Sequence, residues 1–325
     1  NYMNIPGAAL IDLIKKGIKH PHRIPWFLRR LVKHKIPHEV NKLYFRKAGF
    51  WDYNRNGINI FGADWDNLIV LDACRSDMSP GFSSLPGESK VVCSRASNTT
   101  EWLRANFNDR ELLDVVYVTA NPIDLHRSQE FDFDFTFHDV VNVWEDGEWD
   151  EEYNTVLPET TIKYAKRAAE EYPNKRLLIH LIQPHYPFLS SQLEADKVGA
   201  DPETPTFWAR IQHGELDVEQ SDVWAAYNES LKKTLPYIED LLHSLRGKSV
   251  VTADHGNMIG ERGQPVPIRY WGHPAGIYTD QLVRVPWIKH CNGERKQISA
   301  EPSYKQQDVG DEKVNERLRD LGYKI

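Results

Sequence analysis

The chain has 325 residues, of which 40% are apolar and 27% charged, with a formal net charge of −7. These proportions are those of a globular protein and exclude the collagen-like, low-complexity and disulfide-scaffold classes. No apolar run approaches the ~20 residues that cross a bilayer. Cys74, Cys93 and Cys291 show no CxxC pairing, so neither a disulfide framework nor a structural zinc knuckle is indicated, and a reducing, cytoplasmic compartment is the expectation.

The charge is unevenly distributed. Residues 1–50 hold eleven Lys or Arg against Asp12 and Glu39 alone, while the remainder is acidic. This part reads as short helices broken at Pro21, Pro25 and Pro37, with Leu10, Leu13, Ile14 and Ile18 at helical spacing beside Lys15, Lys16 and Lys19. It is expected to form a basic helical N-terminal extension over 1–62, either packed on the body or in peripheral contact with an anionic membrane or partner. Nucleic acid is not expected, because no nucleic-acid motif appears and the remaining 275 residues are acidic.

From residue 63 onward strands alternate with helices. "NLIVLDA" reads as a buried parallel strand, "TTEWLRANF" as a helix and "LLDVVYVTANP" as a second strand. "TTIKYAKRAAEEYP" is a helix leading into the strand "RLLIHLIQP", and "VWAAYNESLKKTLPYIEDLLHSL" is a long amphipathic helix before the strand "SVVTADHG". This alternation predicts one α/β domain over 63–325, a three-layer α/β/α sandwich around a mainly parallel sheet. The acidic, aromatic segment 128–160 and the polar segment 190–222 read as insertions at the strand ends.

In such sheets the carboxyl ends of the strands bind ligands. Asp72 ends the first strand, Asp254 and His255 end the last, and His185 follows "LIQP" at the end of another. Parallel topology brings these ends to one edge, where two carboxylates and imidazoles suit a divalent metal ion. Each residue alone is as well explained as a cap or a satisfied polar group.

These residues also carry a resemblance. "LDACRSD" resembles the opening acidic motif of sulfatases, "QPHYPF" their P-H-x-P-F segment, and "TADHGNMIGERG" their S/T-D-H-G signature. "WGHPAGIYTDQLVRVPWI" is similar to the G-H and R-V-P-x-I elements that close the catalytic domain. Together they span roughly residues 66–290 in the family's order, and the implied family is the alkaline phosphatase superfamily, in its sulfatase-like branch.

Two departures separate the chain from true sulfatases. Ala73 stands where a sulfatase has a second metal-binding Asp, and "VVCSRASNTTEW" lacks the proline of the formylglycine motif that would begin at Cys93. The pattern resembles more closely the one-metal phosphotransferases, such as lipoteichoic acid synthase-like and phosphoethanolamine transferase-like enzymes. The resemblance then implies metal ligation by Asp72, a hydroxyl, Asp254 and His255, and contact of His185 and His273 with the ester oxygens or the leaving group. The lipoteichoic-type offset, with Glu101 and Trp102 four and five residues on, selects Ser97 as that hydroxyl; Thr99 and Thr100 are the other candidates. Asn98 and Glu101 form a plausible capping box at this helix start, where free N–H groups favour an anionic transition state. Arg75 or Arg95 could clamp a non-bridging oxygen.

The expected protein is therefore a hydrolase or transferase for phosphate esters, whether small-molecule, glycan-linked or lipid-linked. It would use a Ser or Thr nucleophile and one divalent ion; Mn²⁺, Mg²⁺ or Zn²⁺ fits the donor set, and Ca²⁺ suits His255 less well. The alternatives are a sulfatase and a catalytically silent binding module of the same fold.

Overall fold

The structure is a computed structural model that describes residues 31–122, 135–145, 148–190, 193, 206–302, 317–318 and 320–321. The predicted helical segment around Leu10–Ile18, with Pro21 and Pro25, lies outside these residues. Among them, no helix is long and apolar enough to cross a membrane.

Seven strands form the central sheet. In chain order they are β1 (Asn67–Leu71), β2 (Glu88–Cys93), β3 (Arg110–Thr119), β4 (Phe135–Asn142), β5 (Arg176–Leu181), β6 (Gly247–Ala253) and β9 (Arg284–Asn292). A separate hairpin pairs β7 (Met258–Arg262) with β8 (Arg269–Gly272). Across the large sheet the order is β2-β9-β6-β1-β5-β3-β4. β1 pairs in parallel with β5 on one side and β6 on the other, and only β9 runs against its neighbours. All five residues of β1 are buried, which is why the strand reads as an unbroken apolar run rather than an alternating one.

The helices are α1 (Ile36–Phe45), α2 (Thr99–Phe107), α3 (Pro158–Glu171), α4 (Phe207–His213), α5 (Gln220–Ser244) and the short α6 (Asp280–Val283). With the sheet they make a three-layer α/β/α architecture. Asn98 caps α2, its side chain accepting the Glu101 N–H at 2.9 Å, as the sequence predicts. Trp102 and Phe107 of α2 pack on His180 and Tyr117, with ring centroids at 5.5 and 5.8 Å.

Three local readings differ from expectation. Pro37 does not break a helix: it occupies the first turn of α1, where its missing N–H has no partner to lose. Part of the segment 128–160 is not an insertion, because Phe135–Asn142 is the edge strand β4, paired with β3; its acidic residues mask an inward row that includes Phe135 and Phe137. Within 190–222, Phe207–His213 is helical, capped by Thr206 and closed by Gly214 at φ 71°, the left-handed geometry that favours glycine.

Candidate active site

Register places the site. Leu71 of β1 lies opposite Ala253 of β6, so the next residues, Asp72 and Asp254, emerge side by side at the carboxyl edge. Both are fully buried, as is His255. Ala73 then adopts φ 56°, a left-handed turn uncommon outside glycine. That turn brings its N–H to Asp254 Oδ1 at 3.0 Å, while its carbonyl accepts the Tyr227 hydroxyl from α5. The His255 N–H also donates to Asp254 Oδ1, at 2.8 Å. One carboxylate oxygen is thus held by the backbone while the other, Oδ2, faces His255 Nε2.

Gly256 is required by its neighbours. A Cβ at this position would collide with the Gln281 carbonyl oxygen, and the close approach lets the Gly256 N–H donate to Leu282 O at 2.7 Å. The Gly256 carbonyl lies 2.7 Å from His255 Nδ1. With Nδ1–H donating there, Nε2 carries its lone pair on the side of Asp72, Asp254 and Thr99.

Around that lone pair stand three oxygens: Asp254 Oδ2 at 3.2 Å, Asp72 Oδ1 at 3.6 Å and Thr99 Oγ1 at 3.2 Å. Donors about 2.1 Å from a tetrahedral cation stand about 3.4 Å apart, and the three separations from His255 Nε2 are of that size. Asp72 Oδ2 is fixed from behind by the Asn121 amide at 2.9 Å. Asp72 and Asp254 also face a residue the sequence reading did not select: donor atoms of Asp72, His180 and Asp254 all lie within 4.8 Å of one another. His180 Nε2 is 3.9 Å from Asp254 Oδ2, and its Nδ1 meets the Tyr117 hydroxyl at 2.9 Å.

The hydroxyl candidates part company. Thr99 is the first residue of α2, so its side chain stands at the helix N-terminus. Ser97 is tied into structure: its Oγ donates toward Pro274 O at 3.0 Å and Glu101 Oε2 at 3.1 Å, and accepts the Gly276 N–H at 2.9 Å. Glu101, four residues on, reaches back: its Oε2 also accepts the Ser97 N–H at 2.8 Å. Glu101 therefore does not close the reciprocal capping box on Asn98. Thr100 follows Thr99 within the first turn of α2.

Both arginine candidates are engaged elsewhere. Arg75 pairs with Asp77 and Glu261, donates to Asn257 O at 3.1 Å and lies over the Trp224 ring at 4.8 Å; it braces the turn after His255. Arg95 donates to Ala105 O at 2.9 Å and lies over Tyr53.

His185 and His273 do gather at the site. Their ring centroids are 4.8 Å apart, and His273 is 4.9 Å from His255. His185 Nδ1 is held by the Tyr186 carbonyl. Burial lowers the pKa of His255 and of His180 to about 4 and that of His185 to about 3, and pushes His273 well below its usual range. The imidazoles are thus neutral at pH 7, the form that ligates a metal or accepts a proton. Burial raises the Asp254 pKa.

The residues missed in the sequence, Asn121 and His180, carried faint signals. Asn121 lies two residues beyond the end of β3 at the same sheet edge, and His180 is the one polar residue among the buried positions of "LLIHLI".

No family model matches the chain and no curated protein matches it. Solved structures similar to it include the integral membrane protein lipooligosaccharide phosphoethanolamine transferase A (EptA) from Neisseria meningitidis. That match has 12% identity and a TM-score of 0.44, covering 69% of this chain and 46% of that one. BT1596, a 2-O GAG sulfatase, matches at 12% identity and a TM-score of 0.45, covering 73% of this chain and 65% of that one. The lipoteichoic acid synthase LtaP from Listeria monocytogenes matches at 12% identity and a TM-score of 0.41, covering 79% and 72%. The chain spans less than half the length of EptA. These three are proteins of the alkaline phosphatase and sulfatase-like group that the sequence motifs resemble.

Proposed function

We propose that the chain is a metal-dependent hydrolase or transferase of phosphate esters, with Thr99 rather than Ser97 as nucleophile. One observation carries this reading: the Thr99 hydroxyl, at a helix N-terminus, lies 3.2 Å from His255 Nε2, which Asp254 Oδ2 and Asp72 Oδ1 also approach at 3.2 and 3.6 Å. A divalent ion held by Asp72, Thr99, Asp254 and His255 would supply Lewis-acid polarisation and ease deprotonation of the hydroxyl.

The remaining chemistry belongs to the chain. The N-terminal N–H groups of α2 face the charge that develops on the phosphoryl oxygens. In the first step a bond forms from Thr99 Oγ1 to phosphorus as the bond from phosphorus to the leaving oxygen breaks, the Thr99 O–H proton passing through a neutral imidazole of the His185–His273 pair to the leaving oxygen. In the second, water or an acceptor alcohol attacks the same phosphorus and releases Thr99, its O–H proton passing to a neutral imidazole of the His185–His273 pair. Ser97, Glu101 and Arg75 position these groups and do not touch substrate.

The sulfatase alternative is disfavoured by the position of Cys93. It ends β2, with its thiol accepting from Asn54 at 3.2 Å, and does not stand at the start of α2. Turnover of an aryl phosphate, an aryl phosphodiester and an aryl sulfate with added Mn²⁺ or Zn²⁺ tests the proposal. Phosphate-ester cleavage that Thr99→Ala abolishes supports it, whereas sulfate cleavage alone, or none of the three, overturns it.

A further inference from the structure

α1 is built inside out. The side that meets the body is polar: Asn41 donates to Val266 O at 2.9 Å and Tyr270 Oη at 3.1 Å, and accepts the Val266 N–H at 2.8 Å. His38 Nδ1 lies 3.3 Å from Tyr270 Oη, and Phe45 packs against Tyr278 with ring centroids at 6.0 Å. The aliphatic side faces away. Ile36, Val40, Leu43 and Tyr44 are 51%, 41%, 53% and 52% exposed, flanked by Val32 at 62% and Phe50 at 83%. Ile36, Val40, Leu43 and Tyr44 recur at helical spacing, so they form one stripe, and a surface helix ordinarily turns such a stripe toward the core. Lys33, Lys35 and Lys47 are exposed along the same segment.

We propose that this face of residues 32–50 docks on an anionic lipid surface. Contiguous exposed apolar side chains mark an interaction site, and an apolar stripe bordered by lysines matches the interfacial helix, which inserts its apolar side and pairs its cations with lipid phosphates. Charge argues for this occupant over the others. A second copy would bring the same lysines face to face, since a two-fold interface uses the same patch twice. Residues 1–30 carry Lys15, Lys16, Lys19, Arg23, Arg29 and Arg30 against Asp12 alone, so covering the face with them would also set cation against cation.

The position of the face gives the docking a consequence. Arg46, one residue beyond α1, pairs with Glu101 of α2 at 2.5 Å, two residues from Thr99. A lipid-bound α1 therefore holds the start of α2 close to the headgroup layer. The inference does not rest on the catalytic reading, because vesicle binding is measured without turnover.

The test is co-sedimentation of the full chain with phosphatidylcholine vesicles containing or lacking phosphatidylglycerol. The parent chain should sediment with the anionic vesicles and not with phosphatidylcholine alone. The variant Ile36→Ser/Leu43→Ser/Phe50→Ser should lose at least about tenfold in partitioning, and Lys33→Gln/Lys35→Gln/Lys47→Gln should bind more weakly with a reduced dependence on salt. All these side chains are exposed, so unchanged melting of both variants accompanies that result. Absence of binding by the parent overturns the proposal, as does equal binding by the Ser variant, which would place the contact elsewhere in the chain. A parent dimer that the Ser variant converts to monomer overturns it too, in favour of a second copy.

Discussion

The Thr99 hydroxyl oxygen lies 3.2 Å from Nε2 of His255, while the Ser97 hydroxyl two residues earlier is bonded to Pro274, Gly276 and Glu101. Thr99→Ala is therefore expected to lower kcat on an aryl phosphate by at least about a thousandfold, and Thr99→Ser to keep a measurable fraction. Ser97→Ala should keep its chemistry and lose about 1–3 kcal/mol of stability from the orphaned Gly276 N–H and Pro274 carbonyl. Steady-state kinetics and mass spectrometry of the trapped phosphoenzyme check this; a phosphorylated Ser97 would reverse the assignment.

Asp72 and Asp254 are neighbours across the β1–β6 register, and both point into the same donor set. Addition of Zn²⁺ or Mn²⁺ to the metal-free protein should raise Tm, by the equivalent of about 2.7 kcal/mol at a hundredfold excess over Kd. Asp254→Asn should abolish that rise and the bound metal measured by elemental analysis. An unchanged metal content in this variant would remove Asp254 from the site.

His180 stands between Tyr117 and Asp254, held at Nδ1 and facing the carboxylate with Nε2. Residues that orient a metal-binding carboxylate typically contribute about 10–100-fold in affinity. His180→Gln should weaken metal binding by that factor, and Tyr117→Phe by less, in a calorimetric titration that needs no substrate. Equal affinities in all three proteins would reduce His180 to a packing residue.

The buried histidines make the metal-free protein acid-sensitive. His180, His185 and His255 have folded pKa values of about 4, about 3 and about 4, whereas in the unfolded chain each titrates near about 6.5. Between these limits the unfolded state binds more protons, so stability is full above about pH 6.5 and falls as the pH drops toward the folded values. Asp254, raised by burial, acts in the opposite sense, one group against four, since His273 is lowered as well. Tm should fall steadily from about pH 7 to about pH 4.5; a flat profile contradicts the neutral, buried cluster.

Glu101 joins three elements: it accepts from Ser97, from Arg46 and, at 2.8 Å, from the Tyr278 hydroxyl. Glu101→Ala strands a partly buried guanidinium and is expected to cost about 3 kcal/mol, read as a drop in denaturant midpoint. It should weaken turnover through displacement of α2. A loss of turnover without loss of stability would instead make Glu101 a participant in the chemistry.

Much of this was legible in the sequence because it is written in local patterns. Continuous apolar runs marked β1, β3, β5 and β6, Asn98 marked the start of α2, and parallel topology then required Asp72, Asp254 and His255 to share an edge. What the chain could not show locally was decided by contacts distant in sequence. The edge strand β4 was hidden in an acidic segment because only one of its faces is buried. His180 and Asn121 became neighbours of the carboxylates only when β5 took its place beside β1 and β3 beside β5. The different surroundings of Ser97 and Thr99 are also long-range: both precede or begin the same helix, but Pro274 and Gly276, some 177 and 179 residues away, bind the first hydroxyl, and His255 meets the second. The outward face of α1 belongs to the same category, since its periodicity alone predicts a buried stripe, and only the polar seat provided by Val266 and Tyr270 turns that stripe toward solvent.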